Sequence, residues 1–273
     1  LPAFPDAALI KRDVTGAMDN PSSADRPNSS AYPALSPPVR IPLITTDDNP
    51  CPYLPGQTAR NRAVFVSRMP PLLYHQFMDA GFRRSGKVIY QPVCGACRLC
   101  VPIRIRVADF VATKSHRRCL RHNADLSISA GPPQPSDEKF DLYRRYLSGC
   151  HQTPTDDRTA FDSFLYDSPI DTLEFEYRDP AGRLLAVGIC DRCTQSLSSV
   201  YFFYDPNDSR RGLGTFGILH EIHFASKQSI PYYYLGYWVR GCRTMDYKAA
   251  FHPCQLLGSD GIWRDFESAQ ERE

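Results

Sequence analysis

The sequence predicts an α+β fold, and three observations carry that prediction. From Thr172 onward it reads as a hairpin, a strand, a glycine turn, a long helix and an aromatic strand, the mixed order of a sheet backed by helices. The stretch "SDEKFDLYRRYLSGCH" combines a serine cap, early acids and an apolar side made by Phe140, Leu142, Tyr143, Tyr146 and Leu147, as an amphipathic helix does. The stretch "VPIRIRVADF" alternates like a strand, with Ile103, Ile105 and Val107 on one face and Arg104 and Arg106 on the other. At 273 residues, 42% hydrophobic and 23% charged, the chain can bury a substantial core. It contains no apolar run of about eighteen residues, so no spanning helix is expected.

The elements follow in order. Residues 1–49 contain "DNPSSADRPNSSAYPALSPP", which buries too little to offset its ordering entropy, and are expected to form a flexible tail. "TARNRAVFVSR" reads as a strand and "PPLLYHQFMDAG" as a short helix opened by prolines and closed at Gly81. "KVIYQP" and "VPIRIRVADF" are strands flanking a cysteine turn, and "TKSHRRCLRHNADL" is a basic loop leading into a short helix. Pro132, Pro133 and Pro135 mark a boundary, giving a basic N-terminal domain at 50–130 with a CxxCxxC motif. A second domain spans 131–264, and 265–273 is expected to be a flexible end. Within it "TAFDSFLY" is a short helix, and "TLEFEYRDPAGRLLAVGICDRC" is a hairpin turning at "DPAGR". "SLSSVYFFYDP" continues the sheet, and "RRGLGTFGILHEIHFASKQSI" is a glycine turn with a helix starting near Thr215. "YYYLGYW" is a core strand, "GCRTMDYKAAF" a terminal helix and "GIWRDF" a last strand or coil. This order suits an acyltransferase-like core better than a doubly wound nucleotide fold.

Charge is divided along the chain although the net value is only +2. Between Arg83 and Arg121 ten basic residues face Asp109 alone, whereas His122 to Ala181 carries twelve acids and five bases. A basic patch of that kind suits a polyanion, and it also suits a solvated face balanced by the acidic half. Ten cysteines are too few for a disulfide scaffold at this length, and with no charged-then-apolar leader at the start they read as reduced thiols of a cytoplasmic protein. Cys94, Cys97 and Cys100 share a spacing that lets their sulfurs converge, with Cys51 as a fourth ligand. Zinc, an iron–sulfur cluster and plain buried thiols all fit that pattern. Cys190 and Cys193 read as core and turn. In "DPNDSRRGLGTFGIL", Gly212 and Gly214 precede a helix start beside Arg210 and Arg211, which suits an anion. The loop is neither a Walker A motif nor a dinucleotide fingerprint.

These stretches together carry a specific resemblance. "CPYLPGQTAR", "GFRRSGKVIYQPVCGACRLCVPIRI", "SHRRCLRHNADL", "VYFFYDP", "RGLGT" and "YLGYWVRGCRTMDYKAAFHPCQLL" resemble the bacterial aspartate/glutamate leucyltransferases, relatives of the eukaryotic arginyl-tRNA–protein transferases. The resemblance runs from about residue 51 to residue 264. It implies a smaller N-terminal domain and a C-terminal domain of the GCN5-related acyltransferase fold. It also implies transfer of leucine from leucyl-tRNA to proteins that begin with Asp or Glu, which marks them for degradation. "GFRRSG" is a family signature, so the resemblance makes Arg83, Arg84 and Ser85 site residues. The eukaryotic relatives place a second cysteine where this chain has Leu54, which departs from the pattern to which their cluster is attributed.

The implied reaction is aminolysis of an activated ester, which requires no cofactor. It requires an RNA grip, a carboxylate receptor, a route for the amine's proton and donors for the oxyanion. Lys114, Arg117, Arg118 and Arg121, with Arg210, Arg211, Gly212 and Gly214, are expected to hold the tRNA, and Trp238 to stack on adenine or shape the aminoacyl pocket. Arg83 and Arg84, and with less reason Lys87, are expected to receive the carboxylate. Glu174 or Asp205 is the expected base, and Tyr201, Tyr204, Tyr237 and Lys248 are candidate donors. No Ser/His/Asp arrangement is expected, and neither DNA nor membrane is an expected partner. Arginyl transfer to the same acceptors, coenzyme A-dependent acetylation and a nonenzymatic RNA-binding zinc protein are the alternatives.

Overall fold

The computed structural model describes residues 40–266. A small sheet, order β1-β4-β6-β5, is built from β1 (Ile44–Thr45), β4 (Asn61–Phe65), β5 (Arg83–Ser85) and β6 (Val88–Pro92), all antiparallel. The short ladder of β2 (Asn49–Pro50) and β3 (Thr58–Ala59) lies beside it in sequence. Helix α1 (Pro71–Asp79) follows β4; proline at its first position costs no hydrogen bond there, and its buried side carries Tyr74, His75 and Met78.

The main sheet has eight strands in the order β14-β13-β7-β12-β11-β10-β9-β8. They are β7 (Cys100–Arg106), β8 (Ser127–Gly131), β9 (Thr172–Arg178), β10 (Leu184–Arg192), β11 (Ser196–Tyr204), β12 (Tyr232–Val239), β13 (Cys254–Leu257) and β14 (Trp263–Phe266). Every neighbouring pair is antiparallel except β11 with β12. Helices α2 (Lys114–His122) and α5 (Leu213–Lys227) share one core with Ile105, Phe175, Tyr177 and Tyr233. Helices α3 (Asp137–Tyr146) and α4 (Arg158–Leu165) close a second core around Val187, Ile189, Tyr201 and Phe203. The strand period of two explains the division: Tyr201 and Phe203 enter the second core while Phe202 and Tyr204 pack on the first. The result is a mixed α+β fold. Among the described residues no helix is long and apolar enough to cross a membrane.

Several expectations are corrected. The boundary at 130/131 does not separate the sheets, because β7 precedes it, β8 runs across it, and both belong to the eight-stranded sheet. Pairing of Ile44 with Ala63 brings order into the stretch expected to be tail, of which residues 1–39 lie outside the described residues. At the other end Asp265 and Phe266 belong to β14, and Phe266 is buried; 267–273 lie outside the described residues. Helix α5 begins at Leu213, two residues early, directly after Gly212 at φ 62°. The expected terminal helix is broken into α6 (Arg243–Asp246) and a 3-10 turn, Tyr247–Ala250. The helix expected through His151 turns α to π at Leu147.

One buried ion pair joins the two sheets. The Arg84 guanidinium donates to Asp191 from Nε at 2.7 Å and from Nη2 at 2.8 Å, and both side chains are fully buried. Asp191 also accepts from the Tyr74 hydroxyl and the Thr172 hydroxyl, each at 2.8 Å. β5, α1, β9 and β10 therefore meet on one carboxylate. Arg84→Ala should destabilise the fold by about 3–5 kcal/mol, because an unpaired buried carboxylate remains, whereas Arg84→Met with Asp191→Leu should recover most of that loss. Urea unfolding of the single and double variants checks the expectation.

Candidate active site

β11 and β12 pair in parallel only from Ser196 against Tyr232 to Ser198 against Tyr234, and then part. Two irregularities coincide with the parting: β10 shifts register against β11 between Ile189 and Cys190, and β12 shifts against β7 between Tyr234 and Gly236. A cavity of about 50 Å³ opens in the gap. Ser199 of β11 and Gly236 of β12 form its sides, and Tyr53, Arg83, Tyr90 and Lys248 close it. Gly236 sits at φ 93°, and a Cβ there would lie 3.3 Å from Lys248 Nζ and 3.6 Å from Arg83 Nη2. A bare backbone at this bulge therefore lets two cations approach the same point.

Those cations are buried, 7% exposed for Arg83 and 8% for Lys248, and among the described residues neither forms an ion pair. Arg83 Nη2 donates to the Ser199 carbonyl at 2.9 Å, and Lys248 Nζ donates to the Tyr237 carbonyl at 3.1 Å. Burial, and then the neighbouring Arg83 charge, lower the Lys248 ammonium to about 7. Burial pushes the Tyr90 hydroxyl up to about 12 and raises Tyr53 well above its ordinary value, so both remain neutral donors. A larger groove of about 640 Å³ lies between β7 and β13, also walled by Tyr237. Its arginines, Arg62, Arg98 and Arg264, are exposed and solvent screens their charge, whereas the two cations of the small cavity are buried.

A second charged region lies on α2, which is capped by Thr113 and places Lys114, Arg117, Arg118 and Arg121 on its exposed side. Asn123, almost fully buried after its last turn, donates to the Cys119 carbonyl at 3.0 Å and the Arg211 carbonyl at 2.8 Å. The basic helix and the glycine turn before α5 are thereby one unit. Arg210 is exposed beside them, while Arg211 makes a bidentate pair with Asp125, both bonds at 2.9 Å. Gly214 lies against Tyr204.

The remaining sequence candidates stand elsewhere. Arg84 is spent on Asp191, and Lys87 pairs with Asp167 at 2.7 Å. Ser85 pairs with Val88 at the end of β5. Glu174 lies on β9, its carboxyl raised by burial and contacted by Lys139. Asp205 caps the turn at Asn207 and meets Arg145 at 3.2 Å. Tyr201 is in the second core, Tyr237 donates to the Gly81 carbonyl at 2.9 Å, and Trp238 donates to Asp246 at 2.8 Å while packing on Phe266. A Ser196–His75–Asp79 chain exists, contrary to expectation, at 3.0 and 3.5 Å, yet Ser196 is fully buried. Tyr53, Tyr90 and Ser199 were not singled out by sequence; the glycine inside "YYYLGYW" was the signal of a bulge.

Burial raises the Cys100 thiol to about 12, followed by Cys94, Cys51 and Cys97, so the four cysteines gather in one neighbourhood. Cys94 faces the Arg60 backbone, however, and among the described residues no three His, Cys, Asp or Glu side chains are arranged to hold a metal ion.

Comparison with known proteins bears on this geometry. Residues 49–118 match the family described as arginine-tRNA-protein transferase, N terminus, and residues 138–258 the corresponding C terminus. The chain is 40% identical over 226 residues to an aspartate/glutamate leucyltransferase of Hahella chejuensis, covering 80% of this chain and 94% of that one. It is 41% identical over 239 residues to one of Xylella fastidiosa, covering 84% and 93%. Among solved structures, the C-terminal domain of a lysylphosphatidylglycerol synthetase from Agrobacterium fabrum is distantly similar, with 15% identity, a TM-score of 0.45 and 74% and 65% of the two chains covered.

The depressed lysine has a consequence for stability. Between about pH 7 and the ordinary lysine value of 10.5 the unfolded chain holds a proton that folded Lys248 has released, so this residue makes stability rise with pH across that window. Below it, the full burial cost is present. Lys248→Met should flatten the rise and stabilise the fold most at about pH 6, as read from urea midpoints at about pH 6 and about pH 9.

Proposed function

Because the chain belongs to the aspartate/glutamate leucyltransferase family, and so transfers leucine from leucyl-tRNA to proteins that begin with Asp or Glu, we propose that the β11–β12 cavity receives the acceptor's acidic side chain. The observation that carries this reading is the pair of buried cations, Arg83 and Lys248, without a carboxylate partner among the described residues. An incoming Asp or Glu supplies the missing counter-charge, which an amide does not. The volume suits a carboxyl group rather than a larger side chain.

The same pair links recognition to chemistry. Arg83 helps to hold Lys248 near neutrality, and a carboxylate seated on Arg83 cancels part of that effect, raising the affinity of Lys248 for a proton. Lys248 then takes the proton of the acceptor's ammonium, whose ordinary value lies near 8. The freed amine attacks the leucyl ester carbonyl; the new C–N bond forms, the bond to the terminal ribose oxygen breaks, that oxygen takes the second proton shed by the attacking nitrogen, and the proton on Lys248 passes to solvent. Asn and Ala acceptors neither pair with Arg83 nor raise the basicity of Lys248. This use of Lys248 replaces Glu174 and Asp205 as the base, since both already have cationic partners.

For the donor, exposed Lys114, Arg117, Arg118 and Arg121 of α2 track the phosphate chain, and Arg210 with the start of α5 receives the 3′ end. Two parallel strands that part at a bulge, beside a helix that begins at a glycine turn, support a GCN5-related acyltransferase reading of β9–β12 and α5. Aminolysis of the ester needs no cofactor, and elemental analysis of the purified protein tests ligation at Cys51, Cys94, Cys97 and Cys100.

With leucyl-tRNA as donor, Arg83→Gln should raise KM for peptides beginning Asp or Glu by about tenfold or more while leaving tRNA affinity unchanged. Lys248→Met should lower kcat by about a hundredfold or more. Unchanged acidic preference in Arg83→Gln would sink the acceptor assignment. Separately, Arg118→Ala with Arg121→Ala should weaken tRNA binding and reduce its log–log salt slope by about two, with peptide KM unaffected. A titration over a salt series measures both.

A further inference from the structure

Glu221 is a fully buried carboxyl on α5 that none of the roles above uses. It lies under the place where β11 and β12 part. Its Oε2 accepts from the Tyr233 hydroxyl of β12, within the parallel-paired segment. The Ser199 hydroxyl of β11, one residue beyond the last parallel pair, and the Cys190 thiol of β10, at the register shift, face the same carboxyl and favour its ionised form. Tyr177 of β9 and Tyr247 of the 3-10 turn are the other titratable groups in its field. Oε1 has no hydrogen-bond partner although it is fully buried. Room for it is made by Gly188, where a Cβ would stand 2.8 Å from that oxygen. An apolar residue at 221 would pack this interior at lower cost.

From this convergence, and resting on the reading of the β11–β12 cavity as the acceptor site, we infer that Glu221 is a positioning residue that sets the separation of β11 and β12 and so fixes Ser199, whose carbonyl holds Arg83. Strands that have lost their mutual hydrogen bonds need another tether to keep a gap of fixed width. A carboxylate that accepts from Tyr233 of β12 and faces Ser199 of β11 from the helix beneath supplies one. Burial raises this carboxyl to about 7, against which Tyr233, Cys190 and Ser199 pull downward. Between the ordinary value of 4.5 and about 7 the folded chain holds a proton that the unfolded chain has lost, so this residue makes stability fall as pH rises through that window. The tether is thus bought at a stability cost that is complete above it.

The test uses the full chain with leucyl-tRNA and an Asp-initiated peptide, at a temperature where circular dichroism shows each variant folded. Glu221→Gln removes the charge and can place an amide donor against the Tyr233 hydroxyl. It should lower kcat about tenfold to a hundredfold, leave tRNA affinity and peptide KM within about twofold, and flatten the fall in stability between about pH 5 and about pH 7. Gly188→Ala, which displaces the same carboxyl without removing it, should reproduce the kcat loss. A kcat within about twofold of the parent in both variants overturns the inference, and so does a parallel decline of kcat, KM and tRNA affinity, which marks general loosening. Failure of the acceptor-site reading shows separately, as an Arg83→Gln enzyme with unchanged acidic preference.

Discussion

The buried pair of Arg84 with Asp191 is the constraint on which the site depends. Its Coulombic attraction does little more than offset desolvation, so its value lies in geometry: two planar groups joined by two bonds fix the small sheet against the large one in one orientation. Because alternate residues of a strand face opposite ways, docking Arg84 on Asp191 commits Arg83 to the other side of β5. There it reaches across to Ser199 and enters the cavity. Adjacent arginines thus have opposite electrostatic circumstances, one neutralised by a carboxylate, the other buried against a backbone carbonyl.

An unneutralised cation in a protein interior is costly, and two in one cavity more so. The fold tolerates this by letting one of them lose its proton: burial and the neighbouring guanidinium lower Lys248 to about 7. A lysine pair would share the adjustment, and an arginine pair could make none. The mixture suits a site that must hold a permanent charge for recognition beside a group able to exchange a proton near neutrality.

The elements are legible in the sequence where local chemistry decides them. Ser136 with Asp137 and Glu138 announces α3, "DPAGR" announces the turn between β9 and β10, and the alternation of "VPIRIRV" announces β7. What local pattern does not contain is partner choice. β7 precedes the proline cluster, yet its neighbours β12 and β13 come long after it, so a boundary drawn from composition cuts a sheet joined by long-range pairing. Likewise nothing in "FRRSGK" distinguishes Arg83 from Arg84, since the difference is strand parity relative to a sheet that β5 does not belong to. Glu174 reads as an available acid in an alternating strand until Lys139 folds over it. The basic run from Lys114 to Arg121 and the glycine turn are each legible, but their union through Asn123 is not, because an asparagine after a helix is more often a cap.

β11 itself relates the two halves of the site. Its early part, Ser198 to Val200, lines the cavity, and its end, Tyr204, lies against Gly214 at the start of α5. Five residue steps along the strand separate Ser199 from Tyr204, about 17 Å at roughly 3.3 Å per residue. A terminal nucleotide with its ester-linked amino acid is extended on that scale. If phosphate is held at the glycine turn and the ester is presented between the parting strands, the strand acts as the ruler between them. Changes in the register of β10 against β11 near Cys190 would then alter reactivity without touching either binding surface.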